Sequence, residues 1–222
     1  MKKAISVIQA VEMIPENASV MIGGFMGVGS PHHLIAELVR QKRGGLTVIA
    51  NDTAKPGVGI GLLVTAGLVK KLIASHIGLN PETQKKMISR EIEVELCPQG
   101  TLAERIRAGG YGLGGVLTPT GLGTTVAEGK RTVEVEGRTF LLETPLKADF
   151  ALIWARRSDY RGNLEYMLTA QNFNSVMAMA AETVIVDADE IVPVGVIPPD
   201  TVITPHVLVD HVIEKRNSSY GH

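Results

Sequence analysis

Short apolar runs alternate with segments of helical period along most of this chain. Ser19-Val20-Met21-Ile22 is apolar, partly β-branched and halted by Gly23-Gly24, which predicts a buried strand. Comparable strands are predicted at 46–50, 71–75, 92–96, 149–154 and 183–186. Helices are predicted for the N-terminal segment, for a stretch starting at Ser30-Pro31, and at 61–68, 81–90, 176–182 and 207–215. Ser30 would cap an orphan amide there, and Pro31 tolerates the first helical position. Asn80-Pro81-Glu82 favours a helix N-terminus in the same way. Strands alternating with helices predict an α/β fold with an open, mainly parallel, Rossmann-like sheet flanked by helices, and near-continuous apolar strands agree with burial on both faces. Residues 131–142 instead alternate apolar and polar positions about Glu136-Gly137, which predicts a small β-hairpin insertion.

The segment joining the first two strand and helix predictions is unusual. Gly23, Gly24, Gly27 and Gly29 surround Phe25, Met26 and Val28, more glycine than a tight strand-to-helix turn needs. Helix N-terminal amides carry partial positive charge, and a loop without Cβ atoms lets a phosphate or oxyanion approach them, so residues 23–29 are read as a ligand loop. Its spacing reverses the dinucleotide fingerprint, and no Gly-Lys-Ser/Thr follows as a P-loop requires. Ligands of open parallel sheets sit beyond the carboxyl ends of the strands. The loop, Asn51-Asp52-Thr53, His76-Ile77-Gly78 and the segment 97–101 are therefore expected to converge on one crevice.

Composition narrows the class. The chain has 222 residues, 45% hydrophobic and 20% charged, ordinary for one globular domain spanning 1–222. A net charge of -1 lacks the electrostatic footprint of a nucleic-acid binder. Gln9, Glu12 and Glu16 interrupt the apolar N-terminal segment, and no run approaches the roughly 20 residues that cross a bilayer. A soluble chain with no membrane partner is expected. Cys97 is the single cysteine, which suits a reducing cytoplasm and rules out an intrachain disulfide or a structural Cys-based zinc site.

The stretch "NASVMIGGFMGVGSP" from Asn17 resembles the N-terminal signature of family I coenzyme A transferases: an apolar triplet, Gly-Gly-Phe, three residues, Gly, any residue and Pro. "IANDTAKPGVGIG" from Ile49, "KKLIASHIGLNPET" from Lys70, "PQGTLAERIRAGGYGLGGVLTPTGLGT" from Pro98 and "NFNSVMAMAAETVIVDADEIV" from Asn172 extend the resemblance over nearly the whole chain. The departure is Glu16-Asn17, ahead of the strand, where the family has an Asp-Gly-like pair. The length suits the α (A) subunit of the 3-oxoacid, acetoacetate or butyrate type. The resemblance implies a Rossmann-like subunit that moves coenzyme A between two carboxylic acids, by way of a mixed anhydride and a glutamyl-CoA thioester. It implies no metal and no organic cofactor beyond the CoA thioester that is the substrate. Gly23, Gly24, Phe25, Met26, Gly27, Val28 and Gly29 would then lie against CoA. The nucleophilic glutamate belongs to a Glu-x-Gly context on a β subunit, and no Glu-x-Gly occurs here, so no catalytic residue is expected in this chain. The expected partner is that β subunit, in a hetero-oligomer such as α2β2.

Asn51, Gln99 and Gly100 are the candidates for the acyl pocket. Gln99 is read equally as a ligand to a substrate carboxylate or as a satisfier of loop backbone, and Thr101 as a cap of the helix behind it. Asp52 is read as a local turn former. His76 is expected to be structural, His32 and His33 exposed, and Cys97 buried and inert. His206 and His211, five apart, do not make a helical metal pair. Arg105, Arg107, Lys130 and Arg131 are expected on solvated faces, and Glu143 in a structural place at a sheet edge. The Gly-rich stretch 109–124 is expected to be a long irregular segment bordering the active site or the partner. The rival to the transferase subunit is a non-catalytic acyl-CoA-binding or regulatory α/β protein. A sugar-phosphate isomerase-like enzyme would need an acid/base pair that the chain does not supply.

Overall fold

The computed structural model describes residues 4–214. In chain order the elements are β1 (Ala4–Ser6), α1 (Val7–Glu12), β2 (Ser19–Ile22), α2 (His32–Arg40), β3 (Leu46–Asp52), α3 (Gly61–Thr65), β4 (Val69–His76), α4 (Pro81–Ile88), β5 (Glu93–Leu96) and α5 (Gln99–Tyr111). There follow β6 (Val116–Thr118), β7 (Thr132–Val135), β8 (Arg138–Glu143), β9 (Ala148–Asp159), β10 (Leu164–Glu165), α6 (Asn174–Met177), β11 (Ala181–Val192) and β12 (His211–Glu214). One sheet runs β1-β12-β11-β9-β2-β3-β4-β5 with every neighbouring pair parallel, and β10 lies antiparallel on β9. Strands β6, β8 and β7 form a separate antiparallel sheet whose β7–β8 hairpin is the predicted one.

Period-two alternation sorts the central strands onto two cores. Val20, Ile22, Val48, Ala50, Leu72 and Ala74 face the core covered by α1, α2 and α3. Met21, Ile49, Ile73, Ala151 and Ile153 face the other, with Leu102 and Ile106 of α5 and Met177 of α6. Full burial of a Leu or Ile side chain contributes about 1.5–3 kcal/mol, so both faces favour the observed register and a one-residue slip would exchange them.

Four predicted elements are corrected. Helix α2 begins at His32 after Pro31, and Ser30 makes no capping bond. The orphan amide of His33 is met instead by Asp187 of β11 at 3.0 Å, a cap from 154 positions away. The N-terminal helix is short and preceded by β1; its start is a Ser6–Gln9 capping box, and residues 1–3 lie outside the described part. The predicted 176–182 helix is the shorter, earlier α6, because Ala181 onward pairs with β9. The predicted terminal helix is a 3-10 turn, His206–Leu208, and then β12, held in parallel pairing by β11 and β1; Lys215 lies outside the described residues.

Candidate functional site

Strand order reverses at β2, which has β3 on one side and β9 on the other. Such a switch point opens a crevice beyond the strand ends, and the residues 23–29 leave β2 directly into it. The Gly23 amide still donates to Leu152 of β9, at 3.0 Å. Beyond it the chain folds into a two-residue hairpin: Phe25 and Val28 exchange backbone bonds of 3.0 and 2.9 Å, with φ of 52° at Met26 and 90° at Gly27. Two successive positive φ values are the type I′ geometry, which favours glycine at the second position. Phe25, Met26 and Val28 stand 45%, 41% and 53% exposed, an apolar tip on a polar-backed loop.

What excludes side chains from this loop is the protein itself. A Cβ at Gly23 would overlap the Asn174 amide oxygen, at Gly24 the Ser30 hydroxyl, at Gly29 the Ala170 carbonyl, and at Gly27 a Val58 methyl at 2.8 Å. Every glycine of the loop therefore has a packing reason inside the chain, and the expectation that their number exceeds structural need is corrected. The amides are largely committed as well: Gly24 donates to Asn172 Oδ1 and Met26 to Asp52 Oδ2, both at 3.0 Å. Among the described residues, only the amides of Gly27 and Gly29 within the loop lack an intrachain acceptor.

Two asparagines beyond β10 hold the loop from behind. Asn172 accepts from Gly24 and donates to the carbonyl of Val28, at 3.1 Å. Its own backbone is strained, at φ 22° and ψ -119°. Such strain persists where surrounding bonds over-determine it. Asn174 is fully buried; it accepts from the Trp154 amide and donates to the carbonyls of Gly29 and Ala170, each at 2.9 Å. Neither role is legible in the sequence around them, because the loop partners lie 144–148 positions away in the chain.

A pocket of about 230 Å³ opens beside the loop, lined by Phe25, Asn51 and Gln99 from the predicted set. Ala103, Asn172, Phe173 and Val176 complete it. Phe25 alone of the seven loop candidates lines this pocket. Gly100 does not reach it either; it lies on a different groove between α5 and β6 with Thr101 and Thr118. The segment His76-Ile77-Gly78 is likewise absent from the lining, with Ile77 buried in the first core. Asn51 is 1% exposed, donates to Asp52 Oδ2 at 2.8 Å and accepts from the Ser75 hydroxyl at 3.2 Å. Asp52 makes the local turn as well, accepting from Ala54 at 2.6 Å, so its carboxylate is fully committed. Gln99 is the first residue of α5, which starts behind Pro98, so Thr101 sits inside the helix and is not its cap.

The charged candidates are structural, but not all as expected. Arg105 is buried at 7% exposure, not on a solvated face: it donates to Glu95 at 2.6 Å and to the Thr144 carbonyl at 2.8 Å, and lies 3.9 Å from Glu143. Glu143, 2% exposed, also takes Lys130 at 2.6 Å. This network joins α5 to the three-stranded sheet and occupies the carboxylate that would otherwise be the strongest nucleophile candidate. Cys97 is 2% exposed, and burial pushes its thiol above the ordinary range while nearby Arg105 opposes. His33 is exposed, as expected, and pairs with Asp187 at 3.1 Å. The 109–124 stretch is less irregular than expected, since it contains the end of α5 and β6. Among the described residues no group of three or more His, Cys, Asp or Glu is placed to hold a metal ion, and no helix is long and apolar enough to cross a membrane.

Residues 4–215 match the family model described as Coenzyme A transferase, and the chain belongs to that family. It is 51% identical over 216 residues to the acetate CoA-transferase subunit alpha of Escherichia coli, covering 97% of this chain and 98% of that one. It is 50% identical over 200 residues to the acetoacetyl-CoA:acetate/butyrate CoA transferase alpha subunit of Clostridium acetobutylicum, covering 90% and 92%. In fold it is similar to an acyl-CoA transferase from Escherichia coli O157:H7 solved as a thioester complex with CoA, with a TM-score of 0.86 and 24% identity over 98% of this chain. The chain spans about half the length of that polypeptide, 48%.

Proposed function

We propose that this chain, a single domain over 1–222, is the α subunit of a heteromeric CoA-transferase that moves coenzyme A between a short-chain acyl-CoA and a carboxylic or 3-oxo acid. The observation that carries the reading is the pocket at the switch point, into which three amide side chains project and no carboxylate does. Acyl transfer through an enzyme carboxylate needs such a group in a sheltered, donor-lined place, so the β subunit supplies it. The relatives' names as alpha subunits support that division. The partner's glutamate attacks the thioester carbonyl and expels CoA thiolate, leaving an acyl-glutamyl anhydride. The thiolate then attacks the glutamyl carbonyl, releasing the first carboxylate and forming glutamyl-CoA; the acceptor acid reverses both steps.

In this reading the loop 23–29 meets CoA with the apolar tip of Phe25, Met26 and Val28 and the two uncommitted amides of Gly27 and Gly29, while Gly23 and Gly24 shape its base. Asn51 and Gln99 face the acyl group. CoA is the substrate and no separate cofactor is required. The assembly is a hetero-oligomer such as α2β2, working in the cytoplasm.

The test is to assay this chain alone and co-expressed with its β subunit, following acyl exchange between butyryl-CoA and acetate by chromatography. The chain alone is expected to show no exchange and the pair to exchange. Binding of acyl-CoA by the pair without exchange would favour the rival, a regulatory acyl-CoA-binding protein.

A further inference from the structure

Asn172 stands where the backbone favours glycine. Its φ of 22° and ψ of -119° lie outside the left-handed basin that asparagine tolerates, where ψ is roughly +30 to +60°. They fall closer to the first central position of a type II′ turn, a glycine position. Glycine would adopt this conformation freely; what glycine lacks is the side-chain amide. That amide closes the mouth of the hairpin at 25–28. Its Oδ1 accepts from the Gly24 amide at 3.0 Å on the incoming arm, and its Nδ2 donates to the Val28 carbonyl at 3.1 Å on the outgoing arm. The amide plane is tied to its own segment as well, accepting from Phe173 at 2.7 Å and donating to the Ala170 carbonyl at 3.1 Å.

The remaining holds on the loop take one point each. Gly23 donates to Leu152, Met26 to Asp52, and the carbonyls of Gly27 and Gly29 meet His32 and Asn174. Among the described residues, Asn172 is the side chain that bonds both arms, so it sets the angle at which the hairpin leaves β2 and the direction of the Gly27 and Gly29 amides. We infer, resting on the transferase reading, that Asn172 is a positioning residue: it acts through the loop rather than on the reacting atoms, and its strained backbone is the cost of aiming the loop at CoA. The grip lies wholly within this chain, whichever walls the β subunit adds. Contacts to the body of CoA are alike in bound substrate and transition state, so a loosened loop raises KM for acyl-CoA and leaves kcat in place. Two ordinary hydrogen bonds correspond to about tenfold.

The experiment compares Asn172→Gly and Asn172→Asp in the assembled α and β subunits. Glycine relieves the backbone while removing the grip, so melting temperature is expected to stay within about 4 °C. The KM for butyryl-CoA, and the Kd for CoA read by titration calorimetry, are expected to rise about tenfold or more, with kcat within about threefold and the acetate KM unchanged. Asn172→Asp keeps the acceptor for Gly24 and loses the donor to Val28, and is expected to fall between. Unchanged KM and Kd in Asn172→Gly, or a joint fall of melting temperature and kcat with KM unmoved, would mark a merely structural residue and overturn the inference with the transferase reading standing. If Asn172→Gly does not assemble, Asn172→Asp decides: a raised butyryl-CoA KM supports the inference and an unchanged one overturns it. No exchange by the unsubstituted pair would sink the transferase reading; the Kd for CoA then decides separately, since equal affinity with and without the Asn172 side chain overturns the positioning role.

Discussion

Asn174 makes three side-chain bonds to backbone at full burial: one from the Trp154 amide and two to the Gly29 and Ala170 carbonyls. Truncation to alanine leaves the Trp154 amide and the Gly29 carbonyl without this partner, while the Ala170 carbonyl keeps Asn172 at 3.1 Å, and each buried unsatisfied group costs about 1–3 kcal/mol. Asn174→Ala is therefore expected to lower folding stability by on the order of 3 kcal/mol, read as a lower urea midpoint with an unchanged slope. A change within about 0.5 kcal/mol, the range of ordinary surface substitutions, would mean the loop keeps its shape without this residue. Residue roles were legible where they were local. Positive φ at Gly27, the Asn80 cap and the Asp52 turn all follow from neighbours in the chain. They were not legible where the partner is remote: Asn174 to Gly29 spans 145 positions and Asp187 to His33 spans 154. Arg105 was misplaced for the same reason, since its helix alone gives no sign that β8 and the Thr144 turn will cover it.

Elements were legible where periodicity and pairing agreed. Ser19–Ile22 ends at the predicted residues because glycine stops it and both faces are apolar. The C-terminal prediction failed because apolar residues at 207–209 and 212–213 fit helical spacing and strand alternation alike, and parallel pairing with β11 and β1 decided the outcome. The two strands that meet at the switch point are also clamped at their N-terminal ends. Asp149, at the start of β9, accepts from the amide and the hydroxyl of Ser19, at the start of β2, each at 2.7 Å. Those donors hold its carboxyl below the usual carboxylate range. A carboxyl lowered in the folded state contributes stability that is complete above the unfolded value, near 3.9, and is lost as pH falls through the lower folded value. Melting temperature is expected to be insensitive to this group from pH 7 to about 5 and to decline below about pH 4. Asp149→Asn, which cannot titrate, is expected to decline less steeply in that acid range. Equal steepness would show that the Ser19 clamp does not favour the ionised carboxylate.

At the scale of the whole molecule, a parallel sheet places a clamped loop and a small amide-lined pocket at its switch point, while the acidic residues nearest to hand are spent on structure. Asp52 serves the turn and loop, Asp187 caps α2, and Glu143 balances Lys130 and Arg105. Family membership, reached from motifs spread across nearly the whole chain, agrees with the matched residues 4–215 and with the fold. The pocket's composition was only half legible, because Asn51 and Gln99 close strand ends in the sequence pattern but Ala103, Asn172, Phe173 and Val176 arrive through helix and loop packing. The central claim is that this subunit shelters the acyl group while its partner carries the covalent chemistry. It is tested most directly by incubating the assembled subunits with acyl-CoA alone, quenching, and locating the CoA thioester by peptide mass spectrometry. The account predicts one CoA adduct, on a glutamate of the β subunit, and none on this chain; an adduct on Glu143 or any other glutamate of this chain would contradict it.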